Sequence, residues 1–114
     1  MWSFQGSNTQ LKAAIPDIQP QSSNRYLRLL AVSRLYLDNF ANMQSSWVTQ
    51  GSYIGQLALK FGANDLGSTM MEENVVKAAG AENRMNKEEM IRLIKDIGEN
   101  PAKRNTAYEI LERF

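Results

Sequence analysis

Met43-Gln44-Ser45-Ser46-Trp47-Val48-Thr49-Gln50-Gly51-Ser52 is the stretch on which the fold of this chain turns. Its first six residues read as a short strand, and Thr49 to Ser52 as a turn. The residues that follow place Ile54, Leu57, Ala58 and Phe61 at i, i+3, i+4 and i+7, the one-sided apolar pattern of a helix, and Gly62 supplies its stop. Asn64-Asp65-Leu66-Gly67-Ser68 then reads as a second short strand. A strand, a helix and a strand in close succession argue for parallel pairing through a helical crossover.

The alternation continues outward. Met1-Trp2-Ser3-Phe4 resembles the end of a strand, with a turn over Gln5 to Asn8, and residues 12 to 23 form a loop broken by Pro16 and Pro20. A helix is expected from Asn24 to about Asn39, capped by Ser22, Ser23 or Asn24. Its apolar face is broad, leaving a narrow polar stripe through Arg28 and Asp38, as in a helix covered on most sides by protein. Val75 to Ala79 reads as a short helix ended by Gly80. Asn86 and Glu89 form a capping-box pattern ahead of Met90, Leu93, Ile94 and Ile97, Gly98 ends that helix, and Pro101 opens a last helix to Phe114.

The expected fold class is therefore α/β, with residues 1–114 as one partial domain: the C-terminal portion of a (β/α) barrel, about two to three βα units plus C-terminal helices. A parallel sheet needs helices on its faces and neighbours at its edges, and a barrel closes only with eight strands, so the rest is expected from residues outside this chain.

Composition narrows the chemistry. A hydrophobic fraction of 43% and a charged fraction of 22% are those of a folding chain. Basic and acidic side chains number 13 and 12 and are interspersed, which leaves no electrostatic footprint for nucleic acid. No apolar run approaches the roughly 20 residues of a membrane span, and no signal-peptide pattern opens the chain, so the cytoplasm is the expected compartment. There is no cysteine and no histidine, hence no disulfide, no thiolate or imidazole chemistry, and no usual zinc or iron–sulfur ligand; no metal site is expected.

Three clusters fall where a barrel carries function, beyond the C-terminal ends of strands. Trp47, Thr49, Gln50 and Gly51 follow the first strand and precede a helix with free amide donors, a rim suited to a polar or anionic ligand. The plainer alternative is turn chemistry, with Thr49 or Ser52 capping the helix and Trp47 in the core. Asn64 and Asp65 lie beside Gly67, which would let a ligand approach the backbone, or else they form an irregular strand and turn. Glu72 and Asn74, in Met71-Glu72-Glu73-Asn74, stand ahead of a helix. A carboxylate there serves the helix macrodipole, or, if it points into a dry pocket, hydrogen bonding or proton transfer, which makes Glu72 and Asp65 the catalytic candidates. Arg34, a cation in a mainly apolar helix, is expected to snorkel or to pair with a carboxylate such as Asp38.

Taken in order, Ala31-Val32-Ser33-Arg34, Gln44-Ser45-Ser46-Trp47-Val48-Thr49-Gln50-Gly51, Gly62-Ala63-Asn64-Asp65-Leu66-Gly67-Ser68-Thr69 and Glu72-Glu73-Asn74-Val75-Val76 resemble the C-terminal region of the cyclic dehypoxanthine futalosine synthase family. That resemblance implies a radical S-adenosylmethionine (SAM) barrel of the futalosine route to menaquinone, using SAM and a 4Fe–4S cluster. In such enzymes a 5′-deoxyadenosyl radical abstracts hydrogen from the ribose of dehypoxanthine futalosine and a spiro-cyclic product forms. It implies substrate or SAM contacts for Trp47, Thr49, Gln50, Gly51, Asn64, Asp65, Glu72 and Asn74. The family's cluster motif of three cysteines lies in its N-terminal half and has no counterpart here, so the missing half of the barrel or a complementary chain is the implied partner, and the isolated chain is expected to be inactive. The alternatives are the equivalent segment of aminofutalosine synthase, or a small non-catalytic interaction or structural domain derived from such an enzyme.

Overall fold

The computed structural model describes Gly6 and residues 9–69 and 83–114. The chain combines helices with a small sheet and falls into two compact units, Met1–Arg84 and Met85–Phe114. The expected strand at Met1 to Phe4, the helix at Val75 to Ala79, and Glu72 and Asn74 lie outside the described residues.

In the first unit, α1 (Gln10–Ala14) is capped by Thr9, whose hydroxyl accepts from the Lys12 amide at 3.2 Å. One helical turn thus occupies the start of the expected loop before Pro16 forbids continuation. The Lys12 ammonium closes the turn by donating to the carbonyls of Pro16 and Ile18 at 2.6 and 2.7 Å. The second helix, α2 (Ser23–Tyr36), is capped by Ser22 and ends about three residues short of the expected Asn39. Its inner side buries Tyr26, Leu27 and Leu30 against Ala58 and Ala63, with Met43, Ile54 and Leu59 packed around them.

The expected strand through Val48 stops early. Extended backbone around Gln44 pairs in parallel with Asp65, and Trp47–Gln50 is a helical turn, α3. Gly51 links it to α4 (Ser52–Lys60), as the apolar spacing predicts. What bends the chain is packing: Trp47 is 1% exposed, and the Tyr26 hydroxyl accepts the Ser46 amide at 2.8 Å in the interior, which removes that amide from any strand ladder. Tyr26→Phe leaves this buried N–H without its acceptor, and the expected loss is about 1–3 kcal/mol in urea unfolding. A loss within measurement error would show that the bond contributes nothing.

In the second unit, α5 (Lys87–Asp96) begins where the capping-box pattern predicts, with Asn86 Oδ1 accepting from the Glu89 amide at 2.8 Å. Met90 and Leu93 are buried, and Gly98 adopts φ 79° just past the helix end. The last helix expected from Pro101 is instead an antiparallel hairpin of β1 (Ala102–Arg104) and β2 (Ile110–Arg113), with Lys103 opposite Glu112 and a register shift between Lys103 and Arg104. Asn105 is the reason. Its Oδ1 accepts the amides of Ala107 and Glu109 at 2.9 and 3.0 Å, its Nδ2 donates to Glu109 Oε2 at 2.6 Å, and Tyr108 takes φ 64°. A side chain that satisfies turn amides competes directly with helix, and here it wins. The Arg104 guanidinium over the Tyr108 ring at 4.1 Å, and the Phe114 amide on the Pro101 carbonyl at 3.0 Å, close the hairpin.

Candidate functional site

The parallel pairing creates the site. The Ser45 amide donates to the Asp65 carbonyl at 2.8 Å and the Asn64 amide to the Met43 carbonyl at 3.0 Å. Because the two segments run the same way, the residues that follow them, Ser46–Gln50 and Leu66–Thr69, leave from the same end of the pair. The pairing therefore joins the segments that carry two of the three clusters singled out in the sequence. The third, with Glu72 and Asn74, lies outside the described residues.

Within the first cluster, Trp47 points into the core, against Gly55. A Cβ at Gly55 would collide with the Trp47 Cβ, so this position in α4 must be glycine for α3 and α4 to meet. The Ser45 hydroxyl donates to the Gly55 carbonyl at 3.1 Å in the interior. Thr49 is half-buried, its hydroxyl 2.7 Å from the Ser46 hydroxyl and 3.1 Å from the Ser46 carbonyl. Neither Thr49 nor Ser52 caps α4; the cap position is Gly51, at φ 87° and ψ 163°, a region that is essentially glycine's. Gln50 is half-buried beside it. Asn83 Nδ2 donates to the Val48 carbonyl at 2.9 Å, and its Oδ1 lies 3.6 Å from where a Gly51 Cβ would stand. Asn83 was not singled out in the sequence, where nothing distinguishes it from any polar loop residue.

The second cluster is held by its own polar groups. Asn64 Oδ1 accepts from the Met43 amide at 2.8 Å and from Arg34 at 3.2 Å, while its Nδ2 donates to the Ala41 carbonyl and to Asn42 Oδ1 at 3.2 and 3.1 Å. An amide side chain has about this many hydrogen bonds to give, so Asn64 fastens the start of the second segment to the residues before the first. Asp65 is half-buried and accepts the Gly67 amide at 2.9 Å. At Gly67, φ 81°, the group that approaches the backbone is the Gln44 side chain, which would collide with a Cβ there.

Arg34 organises this region. It does not reach for Asp38; its Nε donates to the Gly62 carbonyl at 2.7 Å, its Nη1 to the Phe40 carbonyl at 2.8 Å, and its Nη2 to Asn64. A planar guanidinium with five donors can span three acceptors in this way where an ammonium cannot. The signal in the sequence was a cation within a mainly apolar helix; its partners, two backbone carbonyls and the distant Asn64, left none.

Among the described residues no group of three or more His, Cys, Asp or Glu side chains could hold a metal ion, and no helix is long and apolar enough to cross a membrane. The donor chemistry needed by a 4Fe–4S cluster, thiolate sulfur, is absent from the whole sequence, so these residues do not fit that group.

The family described as CofH/MqnC C-terminal region matches residues 1–114. The chain is 47% identical over 113 residues to cyclic dehypoxanthine futalosine synthase of Halalkalibacterium halodurans, covering 99% of this chain and 30% of that protein. It is 55% identical over 86 residues to the protein of the same name in Streptomyces coelicolor, covering 75% of this chain and 22% of that protein. A 5-amino-6-(D-ribitylamino)uracil–L-tyrosine 4-hydroxyphenyl transferase of Methanosphaerula palustris is 48% identical over 86 residues, with 74% and 24% covered. The chain thus spans less than a third of the length of each of these relatives.

Proposed function

The chain belongs to the family of the CofH/MqnC C-terminal region, and on that footing we propose that it forms the C-terminal part of a radical SAM barrel, in the cytoplasm, that cyclises dehypoxanthine futalosine on the route to menaquinone. The observation that carries this reading is the 47% identity to a cyclic dehypoxanthine futalosine synthase along 99% of the chain. The parallel pairing of Gln44 and Asp65 across α4 supports it, since a strand–helix–strand unit with its polar residues at one end is the repeating element of such a barrel.

In this reading the residues after the two segments contribute to the barrel mouth. Thr49, Gln50, Gly51 and Asp65 contact substrate or SAM, Trp47 shapes that rim from within, given its burial, and the exposed Asn64 anchors the start of the second segment through its hydrogen bonds. Glu72 and Asn74 add a carboxylate and an amide, a role proposed from sequence. The cluster's thiolates and much of the pocket come from residues outside these 114, so no chemical step is assigned to the cluster here.

The test joins this chain to the portion of the Halalkalibacterium halodurans relative that lies outside the match. After anaerobic cluster reconstitution, this fused protein, given SAM and dehypoxanthine futalosine, should yield the cyclised product. Glu72→Gln and Asn74→Ala should each lower turnover without lowering the melting temperature. The 114-residue chain alone should neither take up a cluster nor cleave SAM. A fused protein that folds and holds its cluster but makes no product would sink the assignment, and cluster absorbance in the isolated chain would contradict the division of labour.

A further inference from the structure

Helix α2 has two apolar sides. The inner one, through Tyr26, Leu27 and Leu30, is buried in the first unit's own core. The outer one places Leu29, Val32 and Tyr36 at i, i+3 and i+7 with Leu35 alongside, and all four are exposed, Val32 by 59%, Leu35 by 85% and Tyr36 by 84%. Single exposed apolar residues are ordinary, but a helical stripe of four large ones is a covered surface seen uncovered. The stripe runs into a shallow groove of about 440 Å³ whose lining includes Leu29, Leu37 and Phe40.

We infer that this outer face of α2 is the seat of an amphipathic helix from the polypeptide that makes up the remaining length of the relatives. The inference rests on the reading above, and three observations name the occupant. The matching region is 30% of the Halalkalibacterium halodurans protein, so most of that chain is available to cover it. The only parallel pairing among the described residues joins two short segments, and a parallel sheet is stable when neighbouring strands bring helices that pack beside α2. The face also has a charge: Arg25 and Arg28 are exposed on the same side, and the helix SNRYLRLLAVSRLY contains no acidic residue, so the covering helix carries Asp or Glu opposite them.

The test compares one double substitution, Val32→Glu with Leu35→Glu, in the 114-residue chain and in the fused protein described above. Glutamate keeps the helix propensity, so the change reports on the face alone. In the isolated chain the melting temperature should stay within about 2 °C of the parent, as for any exposed site. In the fused protein it should fall by about 6 °C or more, since the same carboxylates would then be buried without partners. No fall in the fused protein overturns the inference. So does a parent fusion that fails to fold or melts in two separate transitions, and so does an isolated parent that light scattering shows to be a dimer broken by the substitution. If the fall is seen but the parent fusion makes no cyclised product, the docking stands and the functional reading fails.

Discussion

Trp47→Ala should destabilise the chain by about 3–5 kcal/mol, as truncation of a fully enclosed indole generally does. The indole is 1% exposed and sits against the one position in α4, Gly55, where any side chain would displace it. Its loss opens a cavity between α3 and α4 and slackens the hold of the Ser45 hydroxyl on the Gly55 carbonyl. Urea unfolding of the wild-type and substituted chains measures this, and a change below about 1 kcal/mol would mean that the indole is not the keystone of that contact. In the fused protein the same substitution separates two roles. If Trp47 shapes the rim from within, Trp47→Phe should restore stability and turnover together. If the indole contacts the substrate directly, Trp47→Phe should restore stability and leave turnover low.

Arg34→Met should cost about 3 kcal/mol, because it removes charged donors from three acceptors while keeping much of the apolar stem. The acceptors are the Gly62 and Phe40 carbonyls and Asn64 Oδ1, so the end of α2, the link before the first segment and the start of the second segment all lose a shared anchor. Arg34→Lys should recover only part of the loss, since a point charge cannot reach all three. Gly62→Ala should mimic the effect from the other side: the residue is at φ 110°, and a Cβ would stand 2.6 Å from the Arg34 Cβ. Thermal melts of the three variants rank these expectations. Equal stability of Arg34→Lys and the wild type would show that charge alone, and not the fork of donors, holds the region together.

Much of this was legible in the sequence because it is local. The apolar spacing of Ile54, Leu57, Ala58 and Phe61 marks α4, and Asn86 with Glu89 marks the start of α5, since a helix needs only neighbours three and four residues away and a side chain to cap it. The same reasoning failed at Pro101 to Phe114. There Pro101 and the following residues permit a helix, but Asn105 can satisfy the amides of Ala107 and Glu109 in a turn, and the antiparallel partner strand decides between the two.

By itself the sequence determined the helices with one-sided apolar spacing, the α/β character, the family, and the impossibility of holding an iron–sulfur cluster on these residues, because each follows from residue type and short spacing. Only the tertiary structure decided that Trp47 is enclosed, that Gln44 crowds Gly67, that Asn64 and Arg34 bind backbone 20 to 30 residues away, and that Leu29, Val32, Leu35 and Tyr36 on the outer face of α2 are exposed. Each of these depends on which distant groups meet, and burial and hydrogen-bond partners are properties of that meeting, which no local pattern of residues encodes.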